Sequence, residues 1–571
     1  MNEFARENYS RWLESSKVAQ EDKDILKRMS DVDIDDAFFK NIEFGTGGMR
    51  GVLGPGINRI NFHIIKRVTV GLGLFLLDKY KAKKVKVAIS HDNRHHSRDF
   101  VLEIVDILNK MGIDTFIFDS LRPTPELSFA VRYLHCDAGI MITASHNPKQ
   151  YNGYKVYDET GCQLVPAQID PIIKIIDKLP NELDVEVPIS KESGSNQTIG
   201  KKVDDVYVKL VEGIQLNPAL DKSNFKIVYT PNHGTSFVNA MRVFKDCGYD
   251  VHPVLSQCDP DPDFSGTLSP NPEDPRSFIE SIKLAKKIDA DLVCMTDPDG
   301  DRVGLAIKVS NGVYRLMTGN ESAAILLHYI LENEKNNALL PSNGIIYNTI
   351  VTSSLGARIA RNYNVKVESF LTGFKYIGEA IHHHEIEKNG PKFIFGYEES
   401  YGCLIKDFVR DKDGIQAILM YSEMALYYHL KGLTLFDVYN ELAKKYGYYQ
   451  SKLYSIEFKG SEGAAKMEKI MGEITTHPIS SLLGRKVKIF EDYFNLAKTD
   501  FSTGEKKKIQ ESLRGDVVKF VFQDGSSIAV RPSGTEPKCK FYVELVGESE
   551  EKLKDTNELF YEAFLKIYQI K

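Results

Sequence analysis

Short runs of β-branched and aliphatic residues alternate with longer stretches of helical periodicity along most of the chain. Residues 85–90 (VKVAIS) read as a strand, and residues 99–111 as an amphipathic helix with Val101, Ile104, Val105 and Leu108 on one face. Strands are predicted again at 115–118 and at 139–143 (GIMIT), the second running straight into a loop. The alternation returns as a strand at 226–230 (KIVYT), a helix at 236–248 and a strand at 249–254. Further strands fall at 291–296, 303–307, 344–349, 365–370 and 392–395. Such alternation predicts α/β layers with mixed, mostly parallel sheets.

The two ends of the chain read differently. Residues 1–40 are helical in pattern, around Tyr9, Trp12 and Leu13 and then Phe38 and Phe39. Residues 451–571 carry strands at 453–459, 487–490, 517–522 and 527–531, and a closing helix with Ser549 as its N-cap. At 571 residues the chain is too long for one hydrophobic core. The expected organisation is a helical extension (1–40), α/β domains at 41–205, 206–322 and 323–450, and a smaller α+β domain at 451–571. A polar stretch at 191–202 marks the first boundary between α/β domains.

Charge and composition narrow the function. A formal net charge of −6 and the lack of polybasic runs argue against nucleic acid and membrane surfaces as partners. An anionic ligand must therefore meet local cations in a cleft. Seven scattered cysteines with no C-x-x-C pair speak for reduced thiols and against a disulfide framework or structural zinc. The polar N-terminus is unlike a signal peptide, and the apolar runs fall well short of the ~20 residues a bilayer needs. The expectation is a soluble, cytoplasmic protein.

Five short motifs carry candidate chemistry. Thr143-Ala-Ser145-His146-Asn-Pro148 places a serine on a strand-exit loop, and lacks the G-x-S-x-G pattern of serine acyl transfer. Asp297-Pro-Asp299-Gly-Asp301-Arg302, between two strands, sets three carboxylates at alternate loop positions, a donor set for magnesium or manganese. An EF-hand is excluded, because Arg302 and Lys308 stand where it needs Gly and Glu. Residues 44–51 (FGTGGMRG) are glycine-rich but fit neither a dinucleotide fingerprint nor a P-loop, and Arg50 suits an anion. In Arg531-Pro-Ser533-Gly534-Thr535 the guanidinium, both hydroxyls and the N–H groups of the glycine turn can all donate, as suits a phosphate cradle. Gly396-Tyr-Glu398-Glu-Ser400 offers carboxylates and a hydroxyl to sugar hydroxyls, with Gly373 and Lys375 in another loop nearby in sequence. Read alone, each of these is also an ordinary turn. His382-His383-His384 invites a metal reading, but adjacent helix positions point apart, so a solvated helix face is expected.

In this order and spacing, TASHNPKQYNGYK, DPDGDR, GYEES and RPSGTEPK resemble the α-D-phosphohexomutase superfamily. The chain after residue 40 is similar to its bacterial phosphoglucomutase branch, which includes phosphopentomutase-like members. The resemblance implies four domains around a central cleft, the fourth clamping the substrate phosphate. It implies that Ser145 carries the transferred phosphoryl group, and that one Mg²⁺ is held by Asp297, Asp299, Asp301 and a phosphoserine oxygen. Arg302 would pair with the phosphoserine, Lys155 matches the general acid/base, and His146 lies beside the serine. Glu398 and Ser400 match the sugar-reading loop, and Arg531, Ser533, Gly534 and Thr535 the cradle for the phosphate that does not react. Arg50, Gly373 and Lys375 fit the substrate site more loosely.

The implied reaction interconverts glucose 1-phosphate and glucose 6-phosphate, with glucose 1,6-bisphosphate as intermediate and activator. A small-molecule sugar phosphate is the implied partner of a monomer or dimer. Phosphomannomutase, phosphopentomutase and sugar-bisphosphate synthase activities use the same motifs, and an inactive scaffold is the non-enzyme alternative. One departure stands out: no histidine follows the sugar-reading loop in residues 402–410, which shifts proton handling toward Lys155, His146 and Lys406 or Arg410.

Overall fold

The chain begins with helices α1 (Glu3–Glu14), α2 (Gln20–Leu26) and α3 (Asp31–Phe38). A capping box between Ser30 and Asp33 starts α3. Trp12 meets Phe38 edge to face, with ring centroids 6.0 Å apart, and packs with Ala5, Val18, Leu26 and Ile57. Its indole N–H donates to Glu182 Oε1 at 2.7 Å, tying the extension to the domain that follows.

The computed structural model describes residues 3–44, 48–310, 312–458, 460–532 and 538–570. The chain divides into two compact units, residues 1–319 with 374–432, and residues 320–373 with 433–571. No helix among the described residues is long and apolar enough to cross a membrane.

The first unit holds two mixed sheets. Strands β1 (Gly48–Val52), β2 (Lys86–His91), β3 (Asp114–Phe118), β4 (Ala138–Ile142), β5 (Tyr151–Asp158) and β6 (Asn196–Ile199) lie in the order β1-β5-β4-β2-β3-β6. The members β4, β2, β3 and β6 run parallel, whereas β5 is antiparallel to both β4 and β1. Alternate residues face opposite layers. Val87, Ile89, Ile140 and Ile142 pack with helices α4 (Phe62–Lys79), α5 (Ser97–Lys110) and, beyond α6, α7 (Pro166–Lys178). Ala88, Met141 and Tyr157 pack instead on Leu127 and Val131 of α6 (Thr124–Tyr133).

The polar stretch read as a boundary contains β6, an edge strand with three exposed residues that pairs with β3. Its missing apolar alternation is what an edge position allows. A second sheet follows helix α8 (Lys201–Glu212), with strands β7 (Lys226–Thr230), β8 (Asp250–Pro253), β9 (Leu292–Thr296), β10 (Val303–Ser310) and β11 (Val313–Met317). Their order is β11-β10-β9-β7-β8, with β7 parallel to β8 and β9, and β10 antiparallel to its neighbours. Helices α9 (Phe237–Asp246) and α10 (Ile279–Ile288) belong to this layer, so the acidic motif is the β9–β10 turn. The first unit also contains the helix Phe374–Ile386, the hairpin of Lys392–Tyr397 with Cys403–Leu404, and the buried helix Gly414–His429, which packs on α8, α9 and β9.

The second unit takes the rest of the block expected at 323–450, including the parallel strands Gly344–Thr349 and Lys366–Phe370. Its C-terminal part is an antiparallel sheet in which Lys538–Gly547 lies between Tyr448–Glu457 and Ser527–Pro532. The helix Glu550–Ile567 closes it, setting Phe560 and Phe564 against Phe520, Phe522 and Phe541. Ser549 stands at the N-cap as expected, although its side chain makes no capping bond.

Gly153 in β5 sits opposite Arg50, and a Cβ there would lie 2.6 Å from the carbonyl oxygens of both Met49 and Thr143. Gly153→Ala is therefore expected to push β1 and the loop after β4 apart, costing about 1–3 kcal/mol. Thermal unfolding followed by circular dichroism measures this, and an unshifted transition would contradict the close approach.

Candidate active site

The loop after β4 presents Ser145 with φ +53°, a left-handed conformation that a non-glycine residue adopts only when its surroundings enforce it. Two contacts enforce it. The Ser145 N–H donates to Thr143 Oγ1 at 2.8 Å, and the buried Arg94 guanidinium donates to the carbonyls of Ser145 (2.6 Å), Pro148 (2.8 Å) and Tyr151 (2.9 Å). Arg94 is itself paired with Asp92 at 3.1 Å and lies over the Phe264 ring.

Ser145 is 2% exposed, and its Oγ donates to Asp297 Oδ2 at 2.9 Å across 152 residues of sequence. The β9–β10 turn thus meets the serine loop. Asp297 Oδ1 closes that turn by accepting the N–H groups of Asp301 and Arg302, each at 3.1 Å. Gly300 (φ +71°) provides the left-handed step, with its N–H on the Asp297 carbonyl. Asp299 is gripped by the first residue of α6: the Thr124 N–H donates to its carbonyl and the Thr124 hydroxyl to its Oδ2.

Asp297, Asp299 and Asp301 are all buried, and their carboxylate oxygens converge within 4.8 Å of one another. Burial pushes Asp297 well above the usual carboxylate range, and the charges of Asp299 and Asp301 push it further. Burial works against the charge of Asp299 as well, but the Lys155 ammonium at 2.8 Å, the hydrogen bond shared with Asp297 and the charge of Lys412 together hold Asp299 below that range. Asp299 Oδ1 and Asp301 Oδ1 are buried with no hydrogen-bond partner among the described residues. An all-oxygen, anionic donor set with two such atoms fits a hard divalent cation. Among the described residues this is the sole such cluster, and the His382–His384 run is not part of it.

The remaining expected residues distribute as follows. Lys155, on β5, reaches Asp299 at 2.8 Å and Asp301 at 3.8 Å. His146 Nδ1 lies 3.2 Å from Ser145 Oγ. Arg302 is held by Glu273 at 3.1 Å and Asp301 at 3.7 Å; burial opposes its charge, but these carboxylates raise its affinity for the proton further. Arg50 extends from β1 to Asn147 Oδ1 at 3.1 Å, beside the serine loop. Glu398 and Ser400 occupy the turn of the hairpin after Tyr397, with Glu398 buried. Lys375 is buried at the start of the helix Phe374–Ile386. Gly373 (φ +124°) and Arg531, on the strand Ser527–Pro532, belong to the second unit. Ser533, Gly534 and Thr535 lie outside the described residues.

Sequence reasoning missed two residues. Arg94 wires the serine loop, and its only signal is a buried-looking Asp-Asn-Arg after β2. Lys412 places its ammonium 3.2 Å from Asp301 and 3.9 Å from Glu398. Of the two cations weighed in its stead, Arg410 is committed to Glu385 and to the Asp407 carbonyl, while the Lys406 N–H donates to Gln416.

Four segments match the phosphoglucomutase/phosphomannomutase family: residues 41–182, 205–310 and 318–446 as its α/β/α domains I, II and III, and 484–563 as its C-terminal domain. Phosphoglucomutase of Staphylococcus epidermidis is 39% identical over 92% of this chain and 94% of its own, and that of Staphylococcus aureus is 36% identical over 92% and 93%. Among solved structures, the phosphoglucomutase pp63/parafusin of Paramecium superposes with a TM-score of 0.67 at 18% identity, covering 93% of this chain and 96% of that one. The chain belongs to the phosphoglucomutase/phosphomannomutase family, within the α-D-phosphohexomutase superfamily.

Burial holds the His146 imidazole well below its usual value of 6.5, and the Arg302 and Arg50 guanidinium groups push the same way. That direction favours the neutral ring in the native protein. Its nuclear magnetic resonance signals are expected to stay those of neutral imidazole from about pH 8 down to about pH 5.5, and a midpoint at the usual value would overturn this reading.

Proposed function

We propose that the protein is a phosphoglucomutase that interconverts glucose 1-phosphate and glucose 6-phosphate through a phosphorylated Ser145. The observation that carries this reading is the contact of Ser145 Oγ with a buried carboxylate trio, in a chain that shares 39% identity with a phosphoglucomutase over 92% of its length. Localisation in the cytoplasm accords with it, because all seven cysteines are free thiols.

Phosphoryl transfer calls for positioning and charge neutralisation above all. When bound, Mg²⁺ held by Asp297, Asp299, Asp301 and an oxygen on Ser145 supplies charge stabilisation for the serine oxygen as it leaves. In the forward half, a sugar hydroxyl attacks the phosphorus on Ser145; the new O–P bond forms as the bond to Ser145 Oγ breaks. Lys155, an ammonium on β5 beside the trio, passes a proton through His146 to the leaving Ser145 Oγ and takes up the proton of the attacking hydroxyl, so it ends each transfer charged as it began. His146 Nδ1, neutral and 3.2 Å from Ser145 Oγ, exchanges the serine proton. The glucose 1,6-bisphosphate so formed turns over, and the same steps in reverse return its other phosphoryl group to Ser145.

Arg302 turns toward the phosphoryl oxygens. Glu398 and Ser400 read the sugar hydroxyls, and Arg50, Gly373 and Lys375 add to the substrate site. Arg531, with Ser533, Gly534 and Thr535, grips the phosphate that is not reacting. The carboxylate trio and Lys412 are buried and Lys155 is mostly so, which supports the exclusion of water that a hydrolysable phosphoserine needs.

The test is turnover of glucose 1-phosphate, mannose 1-phosphate and ribose 1-phosphate with Mg²⁺ and the matching bisphosphate. Glucose 1-phosphate is expected to be preferred, and Ser145→Ala to lower kcat by about 10⁴-fold or more while the protein stays folded. Intact mass should show one phosphoryl group on the wild type and none on the variant; full activity of Ser145→Ala would end the case. Arg531→Ala is expected to raise KM roughly 10- to 100-fold, the worth of one charge-assisted hydrogen-bond set, and an unchanged KM would remove Arg531 from the cradle.

A further inference from the structure

Lys412 belongs to Asp411-Lys412-Asp413, on the segment between the strand Cys403–Leu404 and the helix Gly414–His429. Two ammonium groups therefore approach one oxygen: Asp301 Oδ2 lies 3.8 Å from Lys155 Nζ and 3.2 Å from Lys412 Nζ. Lys155 is delivered by a central strand. Lys412 rises from a loop, and an unrestrained lysine would give up considerable rotamer freedom to stay in place.

Its surroundings restrain it. Asp411 Oδ1 accepts both the Lys412 backbone N–H at 2.8 Å and its ammonium at 3.3 Å. The other oxygen, Asp411 Oδ2, accepts the hydroxyl of Tyr157 at 2.8 Å, inside the protein. Tyr157 stands two residues after Lys155 on β5, so both side chains leave the same face of that strand. On the far side, the Tyr207 hydroxyl of α8 donates to Asp413, which caps the helix Gly414–His429 through the N–H groups of Ile415 and Gln416. The ring of Phe374 lies 5.5 Å below the Lys412 ammonium.

A phenylalanine at position 157 would fill the same space against Leu127 and Val131. The hydroxyl adds only the bond to Asp411, and through it one strand sets both lysines. We propose that Tyr157 is a positioning residue that holds Lys412, by way of Asp411, against the carboxylate trio during phosphoryl transfer. The role rests on the phosphomutase reading above.

A double-mutant cycle tests it on the full-length protein with glucose 1-phosphate, Mg²⁺ and glucose 1,6-bisphosphate. Tyr157→Phe is expected to lower kcat about 10-fold and leave KM within about twofold, because the hydroxyl touches no substrate. In a Lys412→Ala background the same change should cost less than about twofold, since nothing remains to be positioned. A merely structural hydroxyl would lower both backgrounds alike, and that result overturns the proposal, as does a Tyr157→Phe enzyme equal to wild type. Should Tyr157→Phe fail to fold, Asp411→Asn takes its place in the cycle; it keeps the volume and an acceptor for Tyr157 but loses the charge facing Lys412. Its penalty should likewise vanish with Lys412→Ala, and a penalty of equal size in both backgrounds counts against the role. A wild type without Ser145-dependent turnover overturns the phosphomutase reading and the positioning together, whereas an active wild type beside an indifferent Tyr157 overturns the positioning alone.

Discussion

Three carboxylates gathered out of water within 4.8 Å of one another are the constraint on which the first unit is organised. Like charges this close repel strongly where solvent cannot screen them, and a buried carboxylate without partners costs several kcal/mol. The fold answers each of the three separately. Asp297 spends one oxygen on two backbone N–H groups of its own turn and the other on Ser145. Asp299 is met by Lys155 and by the first residue of α6. Asp301 is met by Lys412 and Arg302. These partners come from both sheets of the unit and from the segment before Gly414, so the acidic turn draws distant parts of the chain together.

The serine loop carries a second cost, its left-handed residue at position 145. That cost is offset by Arg94, whose guanidinium satisfies carbonyls that a tight loop leaves unpaired. Arg94 is in turn fixed by Asp92 and covered by Phe264 from the loop after β8. The serine loop and the acidic turn are therefore not merely adjacent. Each is rigid through bonds that do not involve the other, which is what leaves their 2.9 Å contact free to change when the serine is modified.

What the sequence made legible follows the same division between local and tertiary forces. Strands such as β2, β4, β7 and β9 announce themselves because their residues are buried on both faces and hence continuously apolar. By contrast β1 (GMRGV) and β5 (YNGYKVYD) carry glycines and polar residues demanded by close backbone approach and by the site, and β6 is a polar edge. The mixed, mostly parallel sheets expected from the pattern are present, but no strand is predicted at β5, the antiparallel strand that bears Lys155 and Tyr157. The three aspartates were readable because a tight turn with alternating carboxylates is a local feature. Lys412 was not, since Asp-Lys-Asp looks like solvated surface until tertiary packing buries it. Likewise the continuous block at 323–450 shows no break in sequence, yet its contacts divide near residues 373 and 432, because packing partners are chosen in space.

A phosphoryl group on Ser145 would bring about two further negative charges to the trio. Lys155, Lys412 and Arg302 together contribute three positive charges within 4 Å of those carboxylates, and a divalent cation contributes two. These charges and those of the three aspartates would then offset one another, with Glu273, Glu398 and Asp411 around them adding negative charge on the same arginine and lysine. The arrangement also explains why Arg302 rests on Glu273 at 3.1 Å. A guanidinium with little access to solvent needs an anion, and Glu273 provides one that phosphoryl oxygens on Ser145 would compete with. With two lysines, one arginine and three aspartates in fixed places, the charges that would move during transfer are the phosphoryl group and the proton exchanged for it. A preorganised environment of that kind lowers the barrier without reorganising at the moment of reaction.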